Sequence, residues 1–154
     1  MKNQMMSSSD AKTNTNISIR IVDNKKEIEN FIHLHEILYN NDPYYVFPIR
    51  KEMKDMLYNR LLFKKHVEPC VAFNLYVNDI ISARIYLEVF TARPKTPLER
   101  RQAAFNYFES IDNQSVANAI FRQADKWVKS QGLDYYYGNT NPLDPDDQRG
   151  VLVE

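Results

Sequence analysis

Glycine is scarce in this chain. Only Gly132, Gly138 and Gly150 occur in 154 residues, against roughly 7% in an average protein. That count excludes a Walker-type or dinucleotide-type phosphate loop, which needs several glycines within a few residues so that backbone can close on the phosphates. Cysteine is almost absent as well. Cys70 stands alone, so no internal disulfide forms. It lies in an apolar run and reads as a small core residue, which suits a reducing, cytoplasmic setting. An excess of one charge sign is also missing, with twenty basic residues set against twenty acidic ones. A nucleic-acid partner is therefore not expected. The one dense basic stretch, Arg93–Arg101 (RPKTPLERR), is interrupted by Glu99 and two prolines and reads as a solvated loop. No apolar run approaches the roughly 20 residues that cross a bilayer, so no membrane partner is expected. Residues 1–16 (MKNQMMSSSDAKTNTN) lack the apolar centre of a signal peptide. They read as a polar, disordered tail.

Aromatic residues are plentiful: ten tyrosines and eight phenylalanines. They imply a bulky core or an aromatic surface that meets a ligand or partner. Ile17–Val22 alternates apolar and polar residues, as a half-buried strand does. Asn24 followed by Glu27 has capping-box spacing. A helix should follow with Ile28, Phe31, Ile32, His35, Leu38 and Tyr39 on one face, ended by Asn40–Pro43. Tyr44–Pro48 (YYVFP) is an extended aromatic segment between prolines. Ile49–Tyr58 reads as a short helix with Ile49, Met53, Met56 and Leu57 inward. Asn59–Glu68 stays ambiguous. Cys70–Val77 and Ile80–Phe90 read as strands joined by a two-residue hairpin at Asn78-Asp79. Thr91–Gln102 is expected to be a loop and Ala104–Ile111 a strand. A helix over roughly Asn113–Gln131 should carry Val116, Ile120, Ala124, Trp127 and Val128 on its apolar face, with Gly132 at its C-cap. Leu133–Tyr137 should be a last strand.

The order β-α-α-β-β-β-α-β predicts an α/β (α+β) domain over residues 17–154. Its mixed sheet has helices on both faces: antiparallel in the middle, parallel across the final strand–helix–strand unit. With Asn41–Pro48 (NDPYYVFP), Phe105–Glu109 (FNYFE), Asn141-Pro142 and Gly150–Glu154 (GVLVE) in their places, the chain resembles the GNAT superfamily of N-acetyltransferases. The match runs from about Ile17 to Glu154. The resemblance implies acetyl-CoA held between the fourth and fifth strands, its pantetheine along the fourth strand and its pyrophosphate on the loop opening the third helix. It implies direct attack of a small-molecule amine on the thioester. It also implies a further helix and strands beyond Glu154, so this sequence is expected to be part of a longer domain.

Placed on this chain, the resemblance assigns cofactor contacts to Ser110, Ile111, Asn113, Gln114, Ser115 and Ala117. The family's loop pattern, Gln/Arg-x-x-Gly-x-Gly/Ala, agrees only at Ala117. Asp112 stands where Gln or Arg is usual, and Ser115 replaces the first glycine. At about 6 Å and an effective dielectric near 20, Asp112 and a phosphate repel by roughly 3 kcal/mol. The alternative is that Asp112 or Asn113 is an ordinary N-cap. Glu109 is either the group that takes the amine proton, directly or through water, or an exposed charge at a strand end. Tyr136 faces opposite to Tyr135 and Tyr137. With Asn139 and Asn141 it is placed at the acceptor mouth, against the plainer readings of core packing and turn formation. His33 and His35 do not share a helix face, and no spacing suggests a metal site. A reading of another class is a non-catalytic module with a degenerate CoA site, dimerising through the edge of the sheet.

Overall fold

The computed structural model describes residues 16–92 and 100–138. Asn139, Asn141, residues 1–15 and residues 93–99 lie outside them. The elements are β1 (Ile17–Ile21), α1 (Lys25–Tyr39), α2 (Arg50–Leu57) running into a π-helical turn (Tyr58–Leu62), β2 (Cys70–Val77), β3 (Ile80–Ala92), β4 (Arg100–Ser110), α3 (Gln114–Ser130) and β5 (Tyr136–Tyr137). The sheet order is β1-β2-β3-β4-β5. The first four strands are antiparallel and β5 lies parallel to β4.

Period-two alternation divides the sheet into two faces. Val71, Phe73, Leu75, Ala83, Ile85, Leu87, Val89 and Ala103 pack under Val116, Ile120, Ala124 and Val128 of α3. On the other face, Ala72 and Tyr86 meet Val22, Ile28, Phe31 and Ile32, together with Met53, Met56 and Leu57 of α2. Each fully buried aliphatic side chain contributes about 1.5–3 kcal/mol. Both helical layers are therefore held by their apolar stripes. Arg50 and Lys54 of α2 add ion pairs to Glu29 of α1, and Arg50 also pairs with Glu36.

Local signals account for the joints. The Asn24 side chain caps α1 by accepting from Glu27 N at 3.0 Å. Only half of the capping box forms, because the Glu27 carboxylate is buried and accepts instead from Asn74 Nδ2 at 2.8 Å and Tyr76 OH at 2.5 Å. Asn78 and Asp79 both have positive φ, 50° and 64°, the type I′ geometry that joins β2 to β3 without glycine. Gly132 has φ 75°. Gly132 N donates to Lys129 O at 3.0 Å and Leu133 N to Val128 O at 3.3 Å, closing α3 in a Schellman motif.

Four expectations change. Ile49 is exposed and precedes α2 rather than packing inward. The ambiguous stretch after α2 begins as a π-helical turn, closed by Phe63 N donating to Tyr58 O at 2.9 Å. β3 and β4 extend into the expected loop, because Thr91↔Arg101 and Ala92↔Arg100 continue the ladder. Ladder bonds thus outweigh the charge of that segment. β5 is shortened to two residues, paired only as Ala103↔Tyr136 and Ala104↔Tyr137.

Candidate functional site: the edge of the fourth strand

Two irregularities shape the fourth strand. The β3–β4 register passes from Arg84↔Glu109 to Tyr86↔Asn106, which leaves one extra residue in β4. Tyr107 sits there with φ 50°, an uncommon conformation for an aromatic residue. The bulge resets the side-chain alternation, so Glu109 comes to the same face as Arg84 and Tyr86. Second, β5 pairs only as far as Ala104. Among the described residues, β4 beyond that point has no strand partner on its β5 side. Gly138 allows the close approach at this corner: a Cβ there would meet the Phe105 carbonyl oxygen at 2.2 Å.

The open edge leads into the turn before α3. It brings together Ser110, Ile111, Asn113, Gln114, Ser115 and Ala117, all six expected to meet the cofactor. Their backbone is partly committed. Ile111 N donates to Ser82 O at 2.9 Å, and Ala117 N donates to Asn113 O at 3.1 Å. Asn113 is the N-cap, its side chain accepting from Ser115 N at 2.9 Å and Val116 N at 3.3 Å. The cap is thus Asn113, and Asp112 is exposed beside it. An anion at this helix end competes with the Asn113 amide oxygen, a cap worth about 1 kcal/mol. The positive end of the 17-residue helix favours the anion.

Glu109 is not an exposed strand-end charge. Its side chain is 14% exposed, and Oε2 lies 2.9 Å from Nη2 of Arg84, which is itself 1% exposed. Arg84 donates from Nη1 to the Phe31 carbonyl. Its guanidinium lies 4.8 Å from the Phe31 ring centroid and 5.8 Å from that of Tyr107. Tyr45 covers the pair: its OH donates to Glu109 Oε1 at 3.4 Å, and its ring stacks on Tyr39 at 4.0 Å. Burial pushes the Glu109 carboxyl above its ordinary range, with Arg84 and Tyr45 opposing. Burial also lowers Arg84, with Glu109 opposing. His35 is buried beside Tyr45 and Phe47. Burial, then the charge of Arg84, pulls its pKa from 6.5 to about 4.

Tyr136 turns toward α3, not toward this cluster. Its ring lies 5.9 Å from Phe105, and its OH donates to Asp125 Oδ1 at 2.8 Å. Arg84 and Tyr45 were missed as site residues. Arg84 carried a readable signal, a charged residue alternating with Ala83 and Ile85 in a strand with neighbours on both sides. Tyr45 carried none, because its contact with Glu109 joins residues 64 positions apart. Among the described residues, no group of three or more His, Cys, Asp or Glu is placed to hold a metal ion. No described helix is long and apolar enough to cross a membrane.

No family model matches the chain. A curated relative, bacterial ceramide synthase of Caulobacter vibrioides (strain NA1000 / CB15N), is 26% identical over 142 residues. The alignment takes in 92% of this chain but 36% of that protein, so the chain spans about a third of its relative's length. Solved structures are similar in shape at low identity. A predicted acetyltransferase from Clostridium acetobutylicum, solved with acetyl-CoA, has TM-score 0.57 at 12% identity, covering 90% of this chain and 96% of its own. A GCN5-related N-acetyltransferase from Ralstonia eutropha JMP134 has TM-score 0.61 at 13% identity, covering 90% and 99%. An aminoglycoside N-acetyltransferase in complex with CoA has TM-score 0.62 at 11% identity, covering 94% and 97%. With its five-stranded mixed sheet, its short parallel fifth strand and its helices on both faces, the chain has the fold of the GNAT acetyltransferases.

Proposed function

We propose that this chain is the acyl-CoA-binding and acyl-transferring unit of an N-acyltransferase. One observation carries the reading: the β4 edge beyond Ala104, unpaired by the described part of β5, runs directly into the N-terminus of α3. A strand edge offers backbone donors and acceptors to an amide-bearing arm, and a helix N-terminus favours a phosphate group. Acyl-CoA has those two parts joined in that order. Support also comes from the fold, shared with structures that hold acetyl-CoA or CoA. The relative named ceramide synthase points to amide formation as well, since a ceramide is an N-acylated amino alcohol.

In this reading an amine nitrogen attacks the thioester carbonyl carbon. A C–N bond forms, the C–S bond breaks, and the thiol leaves with one proton. The ammonium proton released beforehand passes to water or to Glu109. Burial raises the Glu109 carboxyl toward the range useful for that transfer, while Arg84 holds it in place. Asn113, Gln114 and Ser115 would meet the pyrophosphate, and Ser110 and Ile111 the arm above it.

Calorimetric titration with acetyl-CoA tests the proposal, with adenosine diphosphate for comparison. Saturable binding is expected, tighter for acetyl-CoA, and tighter again after Asp112→Ala. No heat and no thermal shift at millimolar acetyl-CoA would sink the reading. A dimer seen by sedimentation under those conditions would turn attention to the non-catalytic module.

A further inference from the structure

The first two strands part at one end of the sheet. Val22 N donates to Ala72 O at 2.9 Å, and from Asp23 the chain leaves β1 for α1. β2 starts two residues before that bond, at Cys70. The π-helical turn supplies another wall of the gap, tied to β2 where Cys70 Sγ donates to the Arg60 carbonyl at 3.8 Å. A cavity of about 380 Å³ remains, with Val22, Leu61, Val71 and Ala72 among its apolar lining. That volume is at the lower end of the range for small-molecule sites. It is remote from the turn before α3. Cys70 pairs with Glu88, whereas Ser110 at the end of β4 pairs with Ala83, which pairs with Leu75. The two levels are five β2 residues apart, roughly 17 Å at strand rise.

The charged part of the wall is uneven. Residues 60–66 give the cavity Arg60, Lys64 and His66 and no acidic side chain. Arg60 is anchored by Nη1, which donates to Tyr86 OH at 3.0 Å and to Glu88 Oε2 at 2.5 Å. His66 Nε2 lies 4.0 Å from the same Glu88 oxygen. Two carboxylates also stand in the wall, each with a partner outside it. Asp23 Oδ1 accepts from Asn24 Nδ2 at 3.0 Å, and Glu68 Oε1 accepts from the Thr91 hydroxyl at 3.5 Å. Lys64 forms no ion pair with any described residue. Its backbone is unusual as well. Lys64 has φ 48°, and Lys65 N closes over it onto Asn59 O at 2.9 Å. That is the residue after a helix end, where glycine is usual because a side chain strains the left-handed conformation. Strain of this kind is kept where the side chain has work to do, and π-helical turns recur at functional sites. Attraction to the carbonyl end of the turn explains a cation there. It does not explain Arg60 and His66 in the same wall.

We propose that this cavity binds a small phosphorylated molecule, its phosphate held by Arg60, Lys64 and His66 and its apolar part by Leu61 and Val71. The three side chains offer a planar guanidinium, a mobile ammonium and an imidazole N–H, and charge-assisted hydrogen bonds of these kinds are the strong ones for phosphate oxygens. Lys64 supplies the charge that no protein group answers. The site is separate from the acyl-CoA site and does not rest on the acyltransferase reading.

Phenyl phosphate, with inorganic phosphate and phenol as controls, tests the site by calorimetry and nuclear magnetic resonance on the full chain. Phenyl phosphate should bind saturably, and each control about tenfold or more weaker, because each lacks one half of the match. Binding should shift the Leu61 and Val71 methyl resonances and the His66 ring resonances, and should do so equally with millimolar acetyl-CoA present. Lys64→Gly relieves the backbone, so Tm should not fall. The same variant should weaken phenyl phosphate by ~10–100-fold, the worth of a charged hydrogen bond. Asp23→Asn, which removes a negative charge from the wall, should tighten it. Three results overturn the inference: no saturable binding, equal binding to Lys64→Gly, or binding that shifts the Asn113 and Ser115 amides while Leu61, Val71 and His66 stay unmoved. Failure of acetyl-CoA to bind would sink the acyltransferase reading and leave this site standing.

Discussion

Replacing Arg84 with Met leaves Glu109 as a buried carboxylate without its cation. Arg84 is 1% exposed and its guanidinium lies 2.9 Å from Glu109 Oε2. Breaking one partner of such a pair costs about 3–5 kcal/mol, and the Phe31 carbonyl loses its donor as well. In a protein of this size that corresponds to roughly 6–20 °C in Tm. The loss should depend on pH. Glu109 is already raised by burial and held back by Arg84, so without Arg84 it rises further. A carboxyl raised in the folded state contributes stability that is complete below its unfolded pKa near 4.5. That contribution is lost as pH rises through the folded value. The variant should therefore lie closer to the unaltered protein at pH 5 than at pH 8. The double variant Arg84→Met with Glu109→Gln should regain stability at pH 8, because no charge is left to bury. Thermal melts of the four proteins at both pH values form the cycle. A double variant whose loss equals the sum of the two single losses, or a difference independent of pH, refutes the reasoning.

His35 supplies a second pH effect of opposite sign. Its pKa is lowered from 6.5 to about 4, so its share of stability, up to about 3 kcal/mol, is present above pH 6.5 and is lost as pH falls toward 4. His35→Phe should flatten that part of the melting profile, and the imidazole resonances of the unaltered protein should titrate near pH 4. Asn113→Ala should lower stability by about 1 kcal/mol through loss of the α3 cap, whereas Asn113→Gly should cost only a few tenths; chemical denaturation distinguishes the two. Gly138→Ala should force the β4–β5 corner apart, since its Cβ meets the Phe105 carbonyl oxygen. A loss of about 1–3 kcal/mol is expected, together with weaker acetyl-CoA binding, read by denaturation and calorimetry.

Local chemistry was legible because it is written in neighbouring residues. The Asn24 cap, the Asn78-Asp79 turn, the Gly132 stop and the α3 stripe each depend on a few positions in one segment, and the structure has each of them. The strand-to-helix turn that gathers Ser110 through Ala117 was legible for the same reason. The boundaries of β3, β4 and β5 were not, because a strand ends where its partner's hydrogen bonds end. That is set by ladders between distant segments. Nor could the sequence decide the character of Glu109. The same carboxylate is a solvated strand-end charge or a buried, ion-paired one according to what packs over it. What packs over it is Arg84 from β3 and Tyr45 from the YYVFP segment, brought there through a bulge at Tyr107. The residues by themselves determined the order of elements and the two apolar faces, because side-chain period follows from backbone geometry alone. Only the tertiary structure decided which polar groups share a face and which of them lose their water, because register, bulge and burial arise when separate segments meet.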